Sequence, residues 1–211
     1  MTSDKVTVAS NMHSLYACIL IGGKSSRMGQ PKHLLQEGGI SWLEHTVTTI
    51  SPFVDRVVLA GAGEIPEQLA HLKRLHDLPG LGGPLAGILA AFRWSPSASF
   101  IVLACDMPRV SAQAINWLLL QVKNGVKAVF PCLQDSQQVE PLFAYYGWQC
   151  KDLLEDLAKS GKWGLHGLKH KSGIFTPQLP RDLRQAWCNI NTPSELKKYR
   201  HQTGEEEPCS E

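Results

Sequence analysis

The side chains that could do chemistry gather at three places in this chain. The first is Leu20-Ile21-Gly22-Gly23-Lys24-Ser25-Ser26-Arg27-Met28-Gly29-Gln30-Pro31-Lys32, in which Gly22, Gly23, Gly29, Arg27 and Lys32 follow an apolar run. Residues without side chains let backbone N–H groups approach an anion closely. Arg27 can grip phosphate oxygens as a fork, and Lys32 adds a mobile point charge. The second place is Pro79-Gly80-Leu81-Gly82-Gly83-Pro84-Leu85-Ala86-Gly87, with Asp77 two residues ahead of it. The third is the uncharged run from Phe100 to Cys105, which ends in Asp106 and is closed by Pro108. A carboxylate facing a phosphate loop suits Mg²⁺, which takes one or two protein carboxylates and completes its shell from phosphate and water. Asp106 is therefore the candidate metal ligand.

Each stretch also has a plain structural reading: a solvated surface turn for the first, close helix–sheet packing for the second, a turn-forming Asp77. Asp106 could cap the following helix, but Ser111 stands directly before that helix's apolar stripe and is better placed. Two familiar phosphate loops fail. A Walker A loop would need glycine where Cys18 stands, and the dinucleotide fingerprint would need glycine in place of Lys24. A glycine-rich basic loop after the first strand of an α/β sheet still favours a ligand, because open sheets bind at the carboxyl ends of their strands.

The elements that must position these residues alternate. Residues 15–21, 54–60, 100–104, 127–131 and 142–146 read as strands, with 186–190 a weaker one. Helices announce themselves by the capping boxes Ser41-Trp42-Leu43-Glu44 and Thr192-Pro193-Ser194-Glu195. Two apolar stripes at helical spacing, Leu85-Ile88-Leu89-Phe92 and Ile115-Leu118-Leu119-Val122, supply sheet-facing sides. Such alternation implies a Rossmann-like, doubly wound, mostly parallel α/β sheet flanked by helices. One domain over 14–203 is expected, with 1–13 and the acidic 204–211 as flexible tails.

A formal net charge of +2 gives no overall field, so neither nucleic acid nor membrane is expected as a partner and any anion site must be local. The six cysteines show no C-x-x-C pair, which favours reduced, mostly buried thiols. No leader or spanning segment is evident, and a cytoplasmic location is expected.

Taken in order, Leu20 to Lys32, Gly82-Gly83-Pro84-Leu85-Ala86-Gly87, Cys105-Asp106-Met107-Pro108 and Asn189-Ile190-Asn191-Thr192-Pro193 resemble the molybdenum cofactor guanylyltransferase family of nucleotidyltransferases. The resemblance implies transfer of GMP from GTP to the terminal phosphate of molybdopterin, with release of pyrophosphate and Mg²⁺ as metal. It implies Arg27, Lys32 and Asp106 as catalytic groups. Leu20, Ile21, Gly22 and Gly23 fall on the guanine and ribose side, Lys32 on the phosphates, Asp77 on the nucleoside, and Asp106 on metal and nucleotide. Gly82, Gly83, Asn189 and Asn191 fall on the metal or pterin side, although both asparagines equally suit turn and cap chemistry before Thr192. Other cofactor-biosynthesis proteins and recipient molybdoenzymes are the implied partners. Pro31 departs from the aspartate many members carry and resembles the sister cytidylyltransferases, and Ala60 replaces a nucleotide-binding asparagine. A sister enzyme using CTP and a non-catalytic nucleotide sensor are the rival functions, while Leu20-Ile21-Gly22-Gly23 and the second glycine stretch favour GTP.

Overall fold

Alternation along the first strand sets the layers. In β1 (Leu15–Leu20) and the residue after it, Ala17, Ile19 and Ile21 turn to one face of the sheet and Cys18 to the other, all essentially buried. The computed structural model describes residues 13–22, 31–133 and 138–203. After a short hairpin of β2 (Gln36–Glu37) and β3 (Ile40–Ser41) come α1 (Trp42–Ile50), β4 (Arg56–Ala60) and β5 (Lys73–Leu75). Then α2 (Pro84–Trp94), β6 (Ser99–Ala104), α3 (Ala112–Leu120), β7 (Ala128–Val129) and β8 (Ala144–Tyr146) follow. The chain continues through α4 (Cys150–Lys159), β9 (Ile174–Phe175) and α5 (Pro193–Thr203).

Among the described residues, seven strands form one sheet in the order β5-β4-β1-β6-β8-β7-β9. β1 pairs in parallel with β4 on one side and β6 on the other, with Cys18 opposite both Val58 and Val102. The chain winds outward from β1 to β4 and β5, then crosses back to β6, so the reversal leaves a crevice beyond the carboxyl ends of β1 and β6. Leu43, Val47 and Ile50 of α1 join Ile115 and Leu118 of α3 over one face; Leu85, Ile88, Leu89 and Phe92 of α2 join Leu154 of α4 over the other.

Caps start the helices where the sequence places them. In the box at α1, Glu44 N donates to Ser41 Oγ at 3.1 Å and Ser41 N to Glu44 Oε2 at 2.8 Å, an arrangement worth about 1 kcal/mol. Ser111 Oγ accepts from Ala114 N at 3.3 Å, so α3 makes no use of Asp106 as a cap.

Three expectations are corrected. The stretch 186–190 is no strand: Arg181–Trp187 forms a 3-10 helix, because Leu183, Ala186 and Trp187 bury together at helical spacing. The strand at 127–131 shrinks to two residues. β8 runs antiparallel to both β6 and β7 rather than through a parallel crossover. Just before it, Phe143 takes φ +57°, a strained value for a bulky residue. The turn is held because the Phe143 ring stacks on Trp187 at 4.2 Å while Trp187 Nε1 donates to the Phe143 carbonyl at 2.9 Å. His13, counted with the N-terminal tail, packs against Trp148 and Ser97. No described helix is long and apolar enough to cross a membrane.

Candidate active site

Lys32 heads a short 3-10 turn, Lys32–Leu34, that follows Pro31. Its Nζ donates to Asp106 Oδ2 at 3.0 Å and to Asn191 Oδ1 at 2.6 Å. Residues far apart in sequence meet here for identifiable reasons. Ile190 N donates to the Asp106 carbonyl at 3.0 Å, tying the end of β6 to the segment before α5. A small separate core of Leu35, Trp42, Ile190 and Tyr199 then packs the Lys32 turn against the same segment. Both the Lys32 and Asp106 side chains are largely enclosed, at 14% and 19% exposure.

Asn191 does both things its sequence context allows. The α5 box is closed by Thr192 and Glu195, with Glu195 N donating to Thr192 Oγ1 at 3.2 Å. Asn191 N donates to Glu195 Oε2 at 2.6 Å, a bond that is the main reason the Glu195 carboxyl is held low. The Asn191 side chain is thereby left to face Lys32. Asn189 is exposed and lines a separate shallow hollow with Arg109 and Lys198, away from this cluster. Gly23 and Arg27 lie outside the described residues.

Beside the cluster is a pocket of about 290 Å³. Leu20, Ile21, Gly22, Asp77, Gly83 and Asp106 all line it, so six of the expected residues are brought together. Gly82 sits next to it under Trp163, whose ring leaves no room for a Cβ there, the nearest ring atom being 2.8 Å from where it would stand. Small residues set how closely its walls approach. A Cβ on Gly87 would lie 2.9 Å from Leu20 Cδ2 and 3.1 Å from Ala60 Cβ, so glycine in mid-helix lets α2 settle close to β1 and β4. A groove of about 370 Å³ lies at the amino ends of β4 and β5, lined by Asp55, Arg56 and Lys73 among others. It has no glycine loop and is at the wrong end of the strands for an open α/β sheet.

The pocket's electrostatics exclude thiol chemistry. Burial, and then the charge of Asp106, push the Cys105 thiol up to about 12; burial and Asp77 do the same to Cys18. Neither is a thiolate at neutral pH. Burial raises the Asp77 carboxyl, offset in part by His76. Sequence reasoning passed over Glu140, which is half-buried and whose carboxyl is pushed up by burial and then by the charge of Asp106. It also passed over the site role of Gly87, although a glycine in the middle of a helical stripe was a readable signal. Glu140 had none, since nothing in Val139-Glu140-Pro141-Leu142 marks it.

With Lys32, Asp106 and Asn191 assembled at the mouth of this pocket, the comparisons with known proteins take a definite meaning. Residues 17–172 match the MobA-like NTP transferase domain. The chain belongs to that family. It is a nucleotidyltransferase, and its relatives match over nearly their full length. It is 31% identical to a probable molybdenum cofactor guanylyltransferase of Pelotomaculum thermopropionicum, over 86% of this chain and 90% of that protein. A probable molybdenum cofactor guanylyltransferase of Bacillus cereus is 32% identical, over 84% and 91%. The molybdopterin-guanine dinucleotide biosynthesis protein A of Archaeoglobus fulgidus superposes with a TM-score of 0.73 at 26% identity, covering 90% of this transferase and all of that chain.

Proposed function

We propose that this transferase moves GMP from GTP to the terminal phosphate of molybdopterin and releases pyrophosphate. The observation that carries this reading is Lys32 Nζ bridging Asp106 and Asn191 at the mouth of a glycine-lined pocket. Leu20, Ile21 and Gly22 border the space for base and ribose, and Asp77 faces the nucleoside there. Lys32 neutralises the triphosphate. Gly83 and Gly87 line the pocket without side chains, and the names of the relatives favour GTP.

The residues fit Mg²⁺. Asp106 Oδ1 is buried and has no hydrogen-bond partner among the described residues, which leaves it open to a ligand. Among the described residues no three His, Cys, Asp or Glu side chains cluster, so a cation here would draw most of its shell from phosphate and water. Asp106 would hold it, with the Asn191 amide oxygen beside it; when bound, the ion neutralises charge on the phosphates. The chain's own groups do the remainder. Lys32 orients the phosphates and stabilises charge on the departing pyrophosphate. The acceptor, a phosphate monoester with a second pKa near ~6, is already largely dianionic at pH 7 and needs no general base. The buried thiols Cys18, Cys105 and Cys150 support a reducing compartment, and we infer a cytoplasmic location.

The test is pyrophosphate release from purified protein with molybdopterin, Mg²⁺ and either GTP or CTP. Turnover with GTP at least tenfold above CTP is expected. Preference for CTP moves the protein to the sister activity, and nucleotide binding without pyrophosphate release makes it a sensor.

A further inference from the structure

The Lys32 turn is too short to hold itself. Its two i→i+3 bonds, Leu34 N to the Pro31 carbonyl and Leu35 N to the Lys32 carbonyl, are 3.1 Å each, and isolated 3-10 turns of this length are marginal. Next to Lys32 stands His33, 3% exposed, with Nε2 2.8 Å from the Glu64 carbonyl oxygen. A carbonyl only accepts, so Nε2 carries the proton.

The residues that His33 grips are themselves gripped. Arg74 Nη2 donates to the Gly61 carbonyl at 3.2 Å and to the Gly63 carbonyl at 2.9 Å. Gly63 has φ +132°, and a Cβ there would stand 3.3 Å from His33 Cε1, so the imidazole lies directly against its backbone. The same segment touches the other stem of the glycine loop: a Cβ on Gly22 would be 3.1 Å from the Ala62 carbonyl oxygen. Residues 61–64 thus contact both Gly22 and His33, while Arg74 pins them to β5.

We propose that His33 is a positioning residue for nucleotide transfer. By donating to Glu64 it clasps the Lys32 turn to residues 61–64, and so keeps Lys32 Nζ between Asp106 and Asn191. A lysine side chain has four rotatable bonds and loses much freedom when fixed; a backbone already in place leaves only the side chain to order. The inference deepens the function proposed above and rests on it for its kinetic consequence, though not for the clasp itself.

The test compares His33→Phe, which keeps an aromatic ring and loses the donor, with His33→Gln, whose amide N–H can reach the same carbonyl. Two quantities are read: hydrogen–deuterium exchange at Leu34 and Leu35, and KM and kcat for GTP in pyrophosphate release. His33→Phe should exchange these amides about tenfold faster and lower kcat/KM about 10–100-fold, chiefly through kcat, since misplacement of about 1 Å can cost 10²-fold. His33→Gln should restore both to within about threefold of the parent protein. Arg74→Gln, acting from the far side of the clasp, should reproduce a smaller form of the same pattern and serves if His33→Phe does not fold. Unchanged exchange, or faster exchange with unaltered kcat, overturns the proposal. If the parent protein turns over no GTP, the proposed function falls; the clasp then stands on exchange alone, sustained by a His33→Phe increase that His33→Gln reverses and overturned by its absence.

Discussion

The two ends of the pocket are built on opposite principles. At one end, Lys32, Asp106 and Asn191 are joined by short charged hydrogen bonds before any ligand arrives. At the other, around Asp77, the space is made by omission: Gly22, Ala60, Gly83 and Gly87 contribute almost no side chain, and burial raises a carboxyl. The charged end is preorganised, so on the function proposed above its groups would need little reorganisation when phosphate charge shifts in the transition state. The open end discriminates by shape. Changes at the first should therefore act on turnover, and changes at the second on nucleotide affinity.

The hardest blow to this contrast is Asp106→Asn. It keeps the size of the side chain and removes the charge, and turnover should fall about 10²–10³-fold, equal to about 2.7–4 kcal/mol of transition-state stabilisation. Thermal stability should change little, because Ser111 and not Asp106 caps α3; an active but destabilised variant would show that Asp106 is structural. Next comes Lys32→Met, expected to reduce kcat/KM about 10–100-fold while melting within a few degrees of the parent protein. Equal activity with GTP in both proteins would remove the lysine from the phosphates.

Gly87→Ala sharpens the contrast from the open end. The added methyl meets Ala60 Cβ at 3.1 Å and Asp77 Oδ1 at 3.3 Å. Overpacking costs about 1–3 kcal/mol, against about 1 kcal/mol gained from helix propensity. The net loss of stability should be about 0–2 kcal/mol, and KM for GTP should rise about tenfold with kcat nearly kept. A fall in kcat alone would contradict the division of labour.

Much of the preorganised end was legible in the chain itself. Asp106 stands out because the buried apolar run of β6 stops just before it, and Lys32 because it closes the glycine-rich stretch that follows β1. Asn191 was ambiguous, since asparagine before a capping box fits a turn as well as a site; only Thr192 taking the cap frees its side chain. Glu140 escaped because nothing beside it in the sequence marks it, whereas Gly87, a glycine within a helical stripe, could have been read. The fold divides in the same way. The parallel half β5-β4-β1-β6 was readable apart from β5, whose Lys73-Arg74-Leu75 is too short and polar to look like a strand. In the other half β7 and β8 were readable, with bounds too long, and β9 has only two residues; α4 carries Cys150, Leu153, Leu154, Leu157 and Ala158 at helical spacing, a stripe that could have been read and was passed over.

The smallest expected effect belongs to Glu140→Gln in protein stripped of divalent ions. The Glu140 carboxyl lies above its ordinary value when folded, so the folded state holds its proton more tightly than the unfolded chain. Stability is then lost as pH rises through the usual glutamate range, near ~4.3, and up to the raised value. Gln should leave the melting temperature unchanged near pH 4 and raise it slightly at pH 7. A variant equally stabilised at both pH values would point to packing instead of charge.

The Lys32 contacts span very different stretches of chain: 74 residues to Asp106 and 159 to Asn191. On the ribosome these partners appear in sequence. At about 5–20 residues per second, the stretch from Asp106 to Asn191 takes roughly 4–17 s to make. During that interval β1, β4 and β6 can pair, and Lys32 can find Asp106, but neither Asn191 nor the packing of Ile190 and Tyr199 against the Lys32 turn exists. Translation itself thus orders the assembly, and a nascent chain completes the contacts around Lys32 only after the segment before α5 has emerged.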